Sequence, residues 1–217
     1  DNISFDINQN QILGILGPNG TGKSTIFNII CGIIQPDFGS VKFNNVEAVN
    51  IPVYLRTKKF GIGWVPQHGG FFSDLTTYEN LKSIAQIVIS DKKLIDTKIK
   101  YLIAKFELDA VIDIYAKFLS GGQKKKLVIA MALLGDPKIL LLDEIFAALD
   151  VLTIKMLQEL IINLQSENNI TICMVDHQAA DLLSCVDSAM VLSNTKIISH
   201  GSPSYLVNDP NAKAAYF

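Results

Sequence analysis

Long hydrophobic runs, a basic surplus and paired cysteines are all missing from this 217-residue sequence. The longest uninterrupted apolar stretch covers residues 127–134, far below the ~18 residues that suggest a membrane-spanning helix. Nineteen Lys and Arg against twenty-one Asp and Glu give a net charge of −2. Neutralising a phosphate backbone needs a clustered basic excess, so no nucleic-acid partner is expected. The three cysteines, Cys31, Cys173 and Cys185, are widely spaced, with no CxxC and no Cys/His cluster. That excludes a zinc site and a disulfide framework, and three buried free thiols in a reducing compartment are expected instead. Charged residues make up only 18% against 49% apolar, and mean hydropathy is +0.30. The chain is therefore not disordered, and it is greasy enough to keep company with other proteins. No signal peptide opens it. Residues 1–7 alternate polar and apolar as a strand does, and a start inside a strand without Met suggests a trimmed piece.

What is present alternates between strand and helix. The pattern predicts strands over 11–16, 41–43, 62–65, 138–142, 170–175, 189–192 and 196–199, with helices over 23–33, 120–134, 151–165 and 178–185. Gly and Pro are absent from 76–118, where Lys, Ile and Leu recur at helical spacing. This stretch reads as a helical subdomain inserted into one α/β domain, with core segments of about 1–75 and 119–217. Alternation of this kind implies a mostly parallel sheet covered on both faces.

The strand at 11–16 runs into Gly17-Pro18-Asn19-Gly20-Thr21-Gly22-Lys23-Ser24, a full GxxxxGK[ST] phosphate loop followed by a helix. Glycines let the loop wrap an anion with its amides inward, and the helix dipole aims at the same phosphates. Lys23 is expected to reach the β- and γ-phosphates and Ser24 to ligate Mg²⁺, with Thr25 beside them in the nucleotide site. Downstream, Ile139-Leu140-Leu141-Leu142 is an apolar strand ending in Asp143-Glu144. Asp143 can hold Mg²⁺, and Glu144 can polarise the attacking water as general base.

Leu119-Ser120-Gly121-Gly122-Gln123 precedes a helix. Ser120 is a good N-cap, and Gly121 and Gly122 leave amides bare at a positive helix end, which makes a second anion site. This segment resembles the signature of ATP-binding-cassette (ABC) ATPases. Further pieces follow in that family's order: Gln67 in Trp64-Val65-Pro66-Gln67 resembles the Q-loop glutamine, Ala148-Leu149-Asp150 the D-loop, and His177 in Met174-Val175-Asp176-His177 the switch histidine.

The resemblance implies an α/β P-loop NTPase that hydrolyses ATP with Mg²⁺ as a head-to-tail homodimer. Each phosphate loop would then meet the partner's Ser120 and Gly122 across ATP, with Gln123 and Asp150 part of the nucleotide site. It also implies that Gln67 senses metal and γ-phosphate, and that His177 orients Glu144 and water. Two positions depart from the family pattern. Ile145 stands where Pro is usual, and Asp176 precedes His177 where Thr or Ser is usual. No adenine-stacking aromatic is found in 1–11, so that residue and the family's first strand are expected upstream of this sequence. His68 and His200 match no motif. Lys124-Lys125-Lys126 reads as a solvated helix face.

Residues 56–67, 75–81 and 201–217 resemble the ATPases of lipopolysaccharide export, with branched-chain amino-acid import ATPases next. Ser73 and Asp74 stand where the export ATPases tend to carry basic residues. This resemblance implies an ATPase on the cytoplasmic face of the inner membrane, docked on integral membrane permease subunits near Gln67, Phe71, Phe72 and Leu75. A soluble ABC protein of DNA repair, translation or iron–sulfur assembly is the rival of another class. Such proteins usually carry two cassettes, coiled coils or basic extensions, and none is visible here.

Overall fold

The computed structural model describes residues 2–216. In chain order the elements are β1 (Ile12–Leu16), α1 (Lys23–Cys31), β2 (Lys42–Phe43), β3 (Val46–Glu47), α2 (Val53–Phe60), β4 (Ile62–Val65), α3 (Thr77–Val88), α4 (Ile95–Lys105), α5 (Gly121–Leu133), β5 (Ile139–Asp143), α6 (Val151–Asn168), β6 (Thr171–Asp176), α7 (Ala179–Leu183), β7 (Ser188–Ser193), β8 (Lys196–Gly201), α8 (Pro203–Leu206) and α9 (Pro210–Tyr216). Six strands form one sheet in the order β4-β5-β6-β1-β7-β8. All pairings are parallel except β7 with β8. The fold is the expected α/β architecture.

Strands β1 and β5 are buried almost throughout, because helices cover both faces of the sheet. Their alternate residues feed two cores. Ile12, Leu16, Leu140 and Leu142 join α5 and α6 in one; Leu13, Ile15 and Leu141 pack with Phe27 of α1 in the other. Helix α5 is buried nearly all round, from Lys126 to Met131, as befits a helix enclosed by sheet and neighbouring helices.

Several sequence expectations are corrected. Residues 2–7 form no ladder; Ile3, Phe5 and Ile7 pack against the second core through side chains alone, and Asp1 lies outside the described residues. Helix α1 stops at Cys31 instead of 33 because Gly32 takes a left-handed conformation (φ 85°) and donates to Asn28 O and Ile29 O. The expected strand at 41–43 is half of a two-residue hairpin with β3. Helix α2 is not among the expected elements, and the one side chain it buries fully is charged. It is anchored by Arg56, whose guanidinium, 1% exposed, donates to the carbonyls of Ile29, Ile30, Val49 and Ile51. The 76–118 segment is helical but broken. Between α3, α4 and α5 it makes single 3₁₀ turns at Lys92–Leu94, Asp109–Val111 and Ala116–Phe118. All three cysteines are free and buried. Burial pushes the thiols up, to about 11 for Cys31 and about 12 for Cys185.

Candidate functional site

Four neighbouring parallel strands each end in one piece of the site. In sheet order, β4 leads to Gln67, β5 ends at Asp143 and Glu144, β6 ends at Asp176 before His177, and β1 runs into Gly17. Ligands of open α/β sheets bind beyond the carboxyl ends of the strands, and every candidate group here lies at that edge.

The loop Gly17–Ser24 is shaped by its glycines. Gly20 (φ 82°) and Gly22 (φ 96°) adopt conformations that L-residues avoid. A Cβ on Gly17 would lie 2.7 Å from Leu192 O, so the loop can lie flat on β7 only without a side chain there. Thr21 Oγ1 donates to Pro18 O at 2.9 Å. Lys23, 5% exposed, curls back so that Nζ donates to Gly17 O (2.6 Å) and Pro18 O (3.0 Å). Burial lowers its pKa, opposed by the charges of Glu144, Asp143 and Asp176. Helix α1 opens with no acidic residue in its first turn and no side-chain cap, which leaves its N-terminal amides available to an anion. Ser24 and Thr25 sit exposed in that turn.

Across the loop stand two buried carboxylates. Asp143 has an Oδ1 with no hydrogen-bond partner and no solvent contact. Burial, and then the neighbouring Glu144 charge, raise its pKa, while a hydrogen bond with Ser24 works the other way. An orphaned carboxylate oxygen beside a serine hydroxyl fits a hard divalent cation that completes its shell with water and phosphate. Among the described residues no group of three or more His, Cys, Asp or Glu could hold a metal alone. The donor set therefore suits a cation brought in with a phosphate.

Glu144 is 8% exposed and takes φ 45°, left-handed for a non-glycine residue. Its Oε2 accepts from Gln67 Nε2 and lies 3.5 Å from His177 Nδ1. Three groups that the sequence scatters over 111 positions thus meet at one carboxylate oxygen. His177 is held by its neighbour. Asp176, fully buried, accepts from His177 N (2.8 Å) and Gln178 N (3.0 Å) through Oδ1, and from Phe146 N (3.3 Å) through Oδ2. Burial raises the Asp176 pKa despite these three donors. Ile145, in place of Pro, is fully buried.

The Ser120–Gln123 segment makes no hydrogen bond to Gly17–Thr25 among the described residues. Ser120 caps α5 reciprocally with Gln123: Gln123 N donates to Ser120 Oγ at 3.2 Å, and Ser120 N to Gln123 Oε1 at 2.9 Å. Both glycines lie against the 149–153 region, where a Cβ on Gly121 would meet Leu149 Cδ2 at 3.2 Å and one on Gly122 would meet Thr153 Cγ2 at 2.7 Å. Asp150 caps α6, accepting from Leu152 N, Thr153 N and Thr153 Oγ1. The arrangement presents two helix N-termini: α1 at the loop, α5 at the serine.

The lysine triplet is corrected. Lys124 is half-buried, with its Nζ on Lys117 O at the surface. Lys126 is buried and pairs with Glu107 at 2.8 Å, while Lys125 is half-buried with its Nζ on Gln67 O and Glu144 O. A run of three lysines gives no hint of which turns inward. Lys125 and Asp176 are the two polar residues at the site whose contacts were not foreseen. Of the candidate docking residues, Phe71 packs against the core, Leu75 is half-buried and Phe72 is half exposed. His68 and His200 are exposed. No helix among the described residues is long and apolar enough to cross a membrane.

Residues 1–147 match the family described as ABC transporter. The lipopolysaccharide export system ATP-binding protein LptB of Haemophilus influenzae is 33% identical over 99% of this chain and 88% of its own length. The sulfate/thiosulfate import ATP-binding protein CysA 2 of Agrobacterium fabrum is 34% identical over 97% of this chain, which spans 61% of that protein. Among solved structures, the ADP conformation of MJ1267, an ATP-binding cassette of an ABC transporter, superposes with a TM-score of 0.87 at 26% identity, covering 99% of this chain and 90% of that one.

Proposed function

This chain belongs to the ABC transporter ATPases, whose cassettes bind and hydrolyse ATP and work as dimers with membrane permeases; from that premise we propose that it drives lipopolysaccharide export from the inner membrane. The observation that carries the hydrolytic part is Glu144 Oε2, clasped between Gln67 Nε2 and His177 Nδ1 opposite the phosphate loop. Support for the substrate is the near full-length likeness to LptB. The 34% identity to a sulfate import ATPase favours an importer as the second reading.

In the proposed chemistry, Glu144 accepts a proton from the water that attacks the γ-phosphorus, and the bond from that phosphorus to the β–γ bridging oxygen breaks. Lys23, released from Gly17 O and Pro18 O, supports the charge on the β- and γ-oxygens. Loop amides from Asn19 to Thr25 and the α1 dipole do the same. Asp143, Ser24 and Gln67 would hold Mg²⁺. That ion supplies charge neutralisation on the phosphates. His177 orients the carboxylate and the water.

The exposed α5 terminus at Ser120, Gly121, Gly122 and Gln123, with Asp150 behind it, serves the partner's ATP in a head-to-tail pair. Two copies close on two nucleotides and reopen after hydrolysis. The helical segment of about 76–118 is read as a subdomain moving against the core of about 1–75 and 119–217. Permease helices dock near Gln67, Phe71, Phe72 and Leu75 on the cytoplasmic face, with half-exposed Phe72 as the apolar anchor. The test is co-purification of the full-length protein from detergent-solubilised membranes, with mass spectrometry of its companions. Two permeases with lipopolysaccharide support the proposal; amino-acid or anion permeases move the protein to import; no membrane partner overturns transport. In parallel, Glu144→Gln is expected to trap the ATP-bound dimer, and parental turnover would refute the general-base role.

A further inference from the structure

We propose that Lys125 is a positioning residue for hydrolysis, bridging the backbones of Gln67 and Glu144 and fastening both to the helix that begins at Ser120. The inference rests on the reading of Glu144 as the general base. Lys125 Nζ donates to Gln67 O at 2.9 Å and to Glu144 O at 3.2 Å. These two carbonyls belong to segments 77 positions apart in the chain, and among the described residues it is this α5 side chain that bridges the two oxygens.

Three features set Lys125 apart from an ordinary surface lysine. A cation near a helix N-terminus opposes the helix dipole, so its retention inside the protein needs compensating partners. Its neighbours behave differently: Lys124 Nζ reaches only Lys117 O at the surface, and Lys126 pairs with a carboxylate. Lys125 instead turns inward to two main-chain oxygens, with the charges of Asp176, Asp143 and Glu144 around it.

What such a bridge fixes is backbone. Glu144 holds φ 45°, a conformation that persists in a non-glycine residue only when its surroundings over-determine it. Its N–H donates to Val175 O at 2.8 Å, and its C=O accepts from Lys125. The residue is therefore clamped on both sides, by β6 and by α5. The same ammonium sets the separation of the Gln67 and Glu144 main chains, and so keeps the Gln67 amide on the Glu144 carboxylate. Any shift of α5 that follows engagement of Ser120 and Gly122 is delivered to Glu144 through one side chain.

The test uses the full chain with Lys125→Met, which keeps the length and removes the charge, and Lys125→Arg, which restores a donor. Lys125→Met is expected to lower kcat for ATP by about tenfold or more, with KM within about threefold and Tm within a few degrees. Lys125→Arg is expected to recover at least about half of the parental kcat. The proposal is overturned if Lys125→Met keeps kcat within about twofold of the parent. It is equally overturned if kcat, KM and Tm fall together and Arg rescues none of them, the behaviour of a merely structural residue. Glu144→Gln run alongside separates the premise: parental turnover in that variant shows that the general-base reading itself has failed.

Discussion

Substitution of Asp176 gives the sharpest reading of how the site is held. The carboxylate is completely buried and takes three main-chain N–H groups, from Phe146, His177 and Gln178. Asp176→Ala strips all three of their acceptor. Hydrogen bonds to a charged group are worth about 1.5–3 kcal/mol each, and the desolvation evident in the raised pKa of Asp176 offsets part of that sum. A net loss of about 2–4 kcal/mol is expected, or roughly 5–15 °C in Tm for a chain of this size. Asp176→Asn is the discriminating partner. Its oxygen can replace Oδ1 towards His177 and Gln178, but its NH₂ then faces the Phe146 N–H. About 1–2 kcal/mol should go, with ATP turnover reduced less than in the alanine variant, because His177 stays in place. Urea unfolding and steady-state ATPase assays on both variants decide the matter. If Asp176→Ala unfolds at the parental urea concentration, the three bonds carry no net stability and the reasoning is refuted. If Asn proves the more damaging of the two, the Oδ1 interactions are not what orders the histidine loop.

Three other outcomes are expected. Gly122→Ala would push a methyl to within 2.7 Å of Thr153 Cγ2, costing about 1–3 kcal/mol; Thr153→Ser in the same chain should recover part of it in thermal unfolding, and no recovery would refute the clash. Arg56→Met removes four donor interactions, with Ile29 O and Ile30 O of α1 and with Val49 O and Ile51 O of the loop before α2, and should cost about 3–5 kcal/mol in urea unfolding, against a change within about 0.5 kcal/mol if the arginine were incidental. Asp143 has a folded-state pKa raised above its ordinary value of 3.8. Its contribution to stability is therefore complete below about pH 3.8 and lost as pH rises through the higher folded value. Asp143→Asn should remove that loss, so the variant gains stability relative to the parent as pH climbs from about 4 to 7; a constant difference across that range would contradict the burial argument.

Much of the site was readable because its chemistry is written in short contiguous motifs. Gly17–Ser24, Asp143-Glu144 and Ser120–Gln123 each lie within a single turn or strand end, where residue type and local conformation are tied together. The parallel sheet followed from apolar runs alternating with helical periods. What stayed hidden was long-range. Nothing in three consecutive lysines shows that Lys126 meets Glu107 while Lys125 reaches two carbonyls from distant loops. Asp176 looked like a departure from pattern beside His177, yet it is the residue that holds the loop. Helix α2 was lost because its one fully buried side chain is the charged Arg56, joined by a partly buried Phe60 at its end, a pattern that does not read as an apolar stripe. At residues 2–7 the alternation was real but recorded only side-chain packing, since a ladder needs a partner strand that the pattern cannot supply.

The position of β1 has a consequence for synthesis. It is an interior strand whose partners in its two neighbours, β6 and β7, lie 160 and 175 residues further along the chain. A nascent chain therefore exposes its phosphate loop long before the two strands that flank β1 exist. At about 5–20 residues per second the ribosome needs on the order of 10–40 s to supply those neighbours. Closing so long a loop is slow and entropically costly. A product that ends before β6 and β7 thus carries the full GxxxxGK[ST] sequence without either of the strands that flank β1 and set the loop's geometry.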